Sequence, residues 1–155
     1  MEALGAAEPF RDADMARAFI CAGNARVTLV SLRTHKRYTY RVRAKDDDQE
    51  QRTPPQRKAF FVELLTGRDN ENDFKYVGMI RGDDFFVTRA TRHMETADFV
   101  RGFRHVFRNL TCRHRIPDDV EVWHENRCGR CNRPLTVPES IRTGFGPECI
   151  KLVGG

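Results

Sequence analysis

The sequence predicts an α+β protein in which an antiparallel sheet of about five strands packs on one amphipathic helix, with a small zinc-binding module at the C-terminal end. Three observations predict it. Runs of alternating apolar and polar residues recur through residues 27–88, joined by connections too short to hold crossover helices. One long apolar stripe of helical period follows at 97–110. A Cys-x-x-Cys pair with a later cysteine closes the chain. The division expected is 1–117 for the α+β domain, with a loose N-terminal tail, and 118–155 for the metal module.

Asp12 or Asp14 can cap a short helix through Ala22, with Met15, Ala18, Phe19 and Ala22 on one side and Gly23-Asn24 as its stop. Val27 and Leu29 alternate with Thr28 and Val30. After the basic turn Arg33-Thr34-His35-Lys36, Tyr38, Tyr40 and Val42 alternate with Thr39, Arg41 and Arg43, as in a hairpin with one wet face. Residues 45–58, acidic and carrying Pro54-Pro55, read as an exposed loop. Ala59–Leu65 fits a central strand, and 76–80 with 85–88 forms a hairpin around Gly82-Asp83-Asp84. In the helix 97–110, Thr96 is the candidate N-cap. Phe99, Val100, Phe103, Val106, Phe107 and Leu110 form the stripe, and Arg101, Arg104 and Arg108 share the other side. Val120, Val122 and Trp123 make a last short strand. The expected core is Val27, Leu29, Phe61, Leu64, Val77, Ile80, Phe86, Phe99, Phe103, Val106, Phe107 and Leu110.

Composition excludes some classes. With 39% hydrophobic residues and 11 Phe, the 155-residue chain is too apolar for a disordered protein. No stretch approaches the roughly 18 apolar residues that cross a bilayer, and the first nine residues lack the basic and apolar pattern of a secretory leader. A cytoplasmic protein with reduced thiols is expected, since five cysteines are an odd number for a disulfide framework. No nucleophile elbow, P-loop, dinucleotide fingerprint or His-Glu-x-x-His is present, and the Gly-Asp-Asp turn reads as a turn former. The expectation is a non-enzymatic protein with no small-molecule substrate.

Cys128 and Cys131 can approach one metal ion from a tight backbone knuckle, where Gly129 eases the bend and lets amides point at sulfur. Cys149 returns 18 residues after Cys131, and Pro147 fits the first turn of a short helix beneath it. A redox pair would need a thioredoxin-like βαβ context that the sequence lacks. Zinc needs a fourth donor. His124, four residues before Cys128, is the candidate, with Cys112 and His114 as rivals. Four protein ligands make one Zn2+ structural rather than catalytic.

The pattern Cys128-x-x-Cys131, Arg133, Leu135-Thr136, Pro138, Ser140, Gly144-x-Gly146-Pro147-x-Cys149 resembles a short zinc-ribbon-like domain of unknown function found in phage and actinobacterial proteins. Asn132 stands where that family usually has Gly. Val120–His124 and the segment Leu65–Gly78 are similar to uncharacterised phage and prophage proteins of this length. The resemblance implies a phage origin and a metal site, and brings no established activity.

The net charge is +5, with a pI near 9.2. From Arg89 to Arg115 seven arginines face Glu95 and Asp98, an excess equal to the charge of the whole chain. Arg101, Arg104, Arg108 and Arg113, with Arg130 and Arg133 on the knuckle, form a candidate phosphate-contact surface, because a guanidinium offers two donors at once. Tyr38 and Tyr40 beside the hairpin arginines could stack bases. The expected partner is therefore DNA or RNA. The alternative is a host protein gripped and modulated by the acidic loops 46–50 and 69–73.

Overall fold

The computed structural model describes residues 9–45, 59–69, 72–125, 127–130, 135, 143–146 and 150–151. The acidic, Pro-rich loop expected from 46 to 58 lies outside the described residues, as does the tail before residue 9.

The fold is α+β. Six strands form one antiparallel sheet in the order β5-β4-β3-β2-β1-β6. They are β1 (Asn24–Ser31), β2 (Arg37–Ala44), β3 (Ala59–Leu65), β4 (Phe74–Arg81), β5 (Asp84–Phe86) and β6 (Val120–His124). Two helices, α1 (Ala13–Ile20) and α2 (Asp98–Arg108), cover one face. The short strand into the cysteine cluster thus joins the sheet edge, pairing Val27 with His124 and Leu29 with Val122.

The β1–β2 hairpin follows its alternation. Val27 pairs with Tyr40 and Ala25 with Val42, all fully buried. Their neighbours Arg26 and Arg41 pair on the opposite face. Across that face Arg41 meets Glu63, whose Oε1 accepts from Arg41 Nε at 2.7 Å and whose Oε2 accepts from Arg43 Nη2 at 2.9 Å. Burial alone would raise this carboxyl, but the two guanidiniums outweigh it and hold Glu63 below its ordinary value. The guanidinium of Arg41 lies 4.3 Å from the centre of the Phe74 ring.

Glu63 also explains one departure from the expected core. In the apolar run Ala59–Leu65 no alternation is visible, and Glu63 must face the arginines of β2. Phe61, two residues earlier, shares that face and is only partly buried, beside Arg43 and Tyr76. Phe60, Val62 and Leu64 fill the core instead. Phe86 is likewise 37% exposed. A side chain on Gly78 would meet the Phe85 ring at 3.0 Å, so the bare backbone of Gly78 admits Phe85 and turns Phe86 outward. Val27, Leu29, Leu64, Val77, Ile80, Phe103, Val106, Phe107 and Leu110 are buried as expected.

α1 starts at Asp12, whose Oδ1 accepts from the amides of Asp14 and Met15. Its inward face is Ala13, Ala16, Phe19 and Ile20, rotated from the face expected, with Met15 and Ala18 at the margin of the core. α2 takes Ala97, not Thr96, as N-cap, and no side chain caps it. β5 ends at Phe86, short of the residue 88 expected, and a 3-10 segment, Arg89–Met94, follows with Thr88 as its N-cap. Phe99 is partly buried; its carbonyl accepts the Tyr40 hydroxyl at 2.6 Å. No described helix is long and apolar enough to cross a membrane.

Candidate metal centre and nucleic-acid interface

β6 delivers His124 to the helix-covered face of the sheet, because it pairs opposite Val27. The imidazole is 9% exposed, with the rings of Phe10 and Phe19 at 5.4 and 5.6 Å. Cys128 follows at 1% exposure. The Arg130 amide donates to Cys128 Sγ at 3.4 Å, as expected of a Cys-x-x-Cys knuckle whose glycine lets an amide point at sulfur. Such a bond favours thiolate.

Glycines seat this knuckle on α1. The Gly129 carbonyl accepts from Asn24 N at 2.9 Å, and its amide donates to the Gly144 carbonyl at 2.9 Å. A methyl on Gly129 would lie 2.6 Å from Phe19 Cδ1, and one on Gly144 2.7 Å from the same atom. Gly144 also has φ +83°. Phe145 is buried, its ring 5.9 Å from that of Phe19. Phe19 therefore touches both His124 and the backbone beside Cys128. A buried imidazole and, near the same aromatic ring by way of Gly129, a buried, amide-bonded thiol are donors of the kind that fit Zn2+.

Cys131 and Cys149 lie outside the described residues, and so does Arg133. Among the described residues no three His, Cys, Asp or Glu side chains converge on a metal position. Of the rivals for the fourth ligand, Cys112 is exposed in the turn after α2, and His114 Nδ1 lies 3.0 Å from Asp14 at the first turn of α1, whereas Phe19 and the knuckle are at its last. Burial pushes the Cys21 thiol up to about 12 against the opposing charge of Arg17, which leaves it protonated.

On the outer side of α2, Arg101 and Arg108 are exposed, and Arg113 follows in the π-turn Asn109–Arg113. Among the described residues none of the three has a carboxylate within 4.0 Å. Arg104 differs: it is half-buried and pairs with Glu95 at 3.0 Å, so its charge is compensated. Arg130 is exposed on the knuckle. Tyr40 is fully buried with its hydroxyl bonded, and burial pushes its pKa up; it cannot stack a base. Tyr38 is half-buried, its ring edge-on to Phe99 at 6.1 Å.

Between the β1–β2 turn and α2 lies a pocket of about 310 Å³. Leu29, Tyr40, Val106 and Val120 contribute apolar surface, Tyr38 an aromatic wall, and Gly102 a bare stretch of helix. Lys36 at its rim bonds Asp98 at 3.0 Å, and that bond raises the pKa of the amine and lowers that of the acid. Arg33 pairs with Asp119 at 3.7 Å. Asp83, in the Gly-Asp-Asp turn, is ion-paired with Arg17, and its carbonyl accepts from Thr111. In the 69–73 loop, Asp73 accepts from the Asp69 amide and Asp69 from the Asn72 amide, so these carboxylates hold their own turn.

Residues 122–154 match a family of unknown function, DUF6011. No curated protein and no solved structure matches the chain. The matched segment begins inside β6 and includes His124, Cys128, Gly129 and Gly144, so the match joins the sheet edge to the knuckle.

Sequence reasoning missed Phe19 as the seat of the knuckle and the pocket beside α2. Phe19 carries no local signal beyond its helical phase. The pocket had one: Gly102 sits mid-helix, where glycine costs about 1 kcal/mol relative to alanine. A side chain there would meet nothing within 4 Å, so packing does not require the glycine.

Proposed function

We propose that this is a non-enzymatic protein, stapled by one structural zinc ion, that binds nucleic acid through the arginine face of α2 and the knuckle. The observation that carries the binding is the exposed stretch Arg101, Arg108 and Arg113, none of which has a carboxylate within 4.0 Å among the described residues, although Asp98 feels the charge of Arg101. Arg104, Lys36 and Arg33, by contrast, have carboxylates within 4.0 Å. Arg130, and Arg133 by its place in the sequence, extend the surface.

For zinc, the support is the buried His124 beside Phe19 and the buried Cys128 next to Gly129, which Phe19 also contacts, with Cys131 and Cys149 as the remaining donors. When bound, the ion closes a tail that has few apolar side chains to fold on. The likeness of this tail to zinc-ribbon-like phage and prophage proteins belongs to the same reading, and a bacterial cytoplasm is the compartment it implies.

Anisotropy titrations with labelled DNA and RNA at about 50 and about 200 mM salt test the binding. Three phosphate contacts predict a roughly twenty- to fortyfold loss of affinity over that range. Arg108→Glu with Arg113→Glu should lower affinity and flatten the slope. Binding that ignores both salt and these substitutions refutes the arginine face. Metal analysis of reduced protein should find one equivalent of zinc, lost in Cys128→Ser.

A further inference from the structure

We infer that the pocket between the β1–β2 turn and α2 receives one flipped-out base of a single strand, with the adjoining phosphate on Arg101. This rests on the nucleic-acid reading above and goes further by naming the strand form and the specificity element.

The pocket is preformed. Its turn is pinned by Ser31, whose carbonyl accepts from His35 N at 2.8 Å and whose Oγ accepts from Thr34 N at 3.2 Å. The turn is also tied to the strand-six side by Leu32 N to the Asp119 carbonyl at 2.8 Å. At about 310 Å³ it stands at the lower end of small-ligand sites, roughly 300–1,000 Å³, which suits one flat ring with its sugar.

Its chemistry is divided. The interior is apolar and aromatic, with Leu29, Val106 and the Tyr38 ring, which Phe99 holds in place. The rim cations Lys36 and Arg33 are matched by Asp98 and Asp119, so they add little net charge. Arg101 lies near enough to Asp98 to help lower its pKa but has no carboxylate within 4.0 Å among the described residues, so Asp98 faces two cations and the rim keeps one positive charge in excess; exposed His105 stands one turn further along the same helix. A ligand with a ring for the interior and one anionic group for Arg101 meets this division, and a nucleotide unit has that form. Gly102 lies beside Arg101, where the absence of a side chain leaves the helix backbone open to a flat ring. From Arg101 to Arg108 the helix rises about 10 Å, so the neighbouring phosphates of the same strand can continue along α2. A duplex keeps its bases stacked inside and cannot fill the pocket.

The test is anisotropy with labelled dT and dA oligonucleotides, single-stranded and annealed, against wild type, Gly102→Gln and Tyr38→Ser. Gly102→Gln places a side chain where nothing lies within 4 Å; unchanged melting verifies the fold, and Tyr38→Ser attacks the other wall. Wild type should prefer single strands. Each variant should lose about tenfold or more in single-strand affinity, the worth of one stacked base, while its weak duplex binding stays unchanged. Equal wild-type affinity for both forms, or single-strand binding untouched by both variants, overturns the pocket and leaves the arginine face standing. No binding of either form overturns the nucleic-acid reading itself.

Discussion

Gly129→Ala tests whether the knuckle is seated on α1. The new methyl would lie 2.6 Å from Phe19 Cδ1, 2.8 Å from Cε1 and 3.0 Å from the Phe19 carbonyl oxygen. Ordinary carbon contacts are about 3.5–4.0 Å, so the ring or the knuckle must move by about 1 Å. The ring has little room, because Phe10, His124 and Phe145 stand 5.3, 5.6 and 5.9 Å from it. Overpacking of this kind costs about 1–3 kcal/mol. The backbone oxygen adds a contact that no rotamer relieves, so about 2–3 kcal/mol is expected. Phe19→Leu removes the ring edge and should recover about 1–2 kcal/mol of that cost in the double variant, a coupling that independent sites do not show. Gly102→Ala, with open space around it, is the control and should be neutral or stabilising by up to about 1 kcal/mol. Urea unfolding followed by the fluorescence of the single Trp measures all four. A neutral Gly129→Ala, or strict additivity with Phe19→Leu, would refute the seating of the knuckle on Phe19.

The Glu63 pKa is held below its ordinary value near 4.5, so its contribution is fully present above that pH and is lost as pH falls through the folded value. Glu63→Gln should cost about 2–3 kcal/mol near neutrality, and urea midpoints of variant and wild type should converge as pH falls below 4.5; a constant gap would contradict the Arg41–Glu63–Arg43 assignment. Tyr40→Phe removes the bond to the Phe99 carbonyl and should destabilise by about 1–2 kcal/mol in urea unfolding; an unchanged midpoint would contradict a stabilising role for that bond. Strong chelator should lower the melting temperature and release one equivalent of zinc, and unchanged melting in chelator would contradict the metal staple.

The hairpin β1–β2 and the helix α2 were legible because their apolar residues repeat at periods of two and 3.6, and nothing nearby competes with that pattern. β3 was legible as a strand but not in its facing. Every position of Ala59–Leu65 except Glu63 is apolar, and the residues that fix Glu63 are on another strand, 20 and 22 positions away. The π-turn after α2 and the 3-10 segment before it carry no periodic signal. At the candidate sites, the spacing of cysteines named the knuckle, and an i, i+3, i+7 count named the arginine stripe. The count could not separate Arg104 from Arg101, because compensation depends on which carboxylate the fold brings near.

β6 shows why these sites belong to one structure. Val120 at its start lines the pocket and His124 at its end faces the knuckle. Five residues of strand span about 13 Å between those α-carbons. β6 is an edge strand, paired with β1 along one side. On the other side the Phe10 amide donates to the Val122 carbonyl at 2.7 Å, just before α1 begins. Phe10 then packs on Phe19 and His124. The N-terminal segment, α1 and the knuckle therefore brace the strand that supplies one wall of the pocket. Strand edges are ordinarily liabilities that proteins must cover, and here Phe10 and the packing around Phe19 cover it. An interface built on α2 alone would need none of this bracing. A pocket with one wall on β6 depends on it.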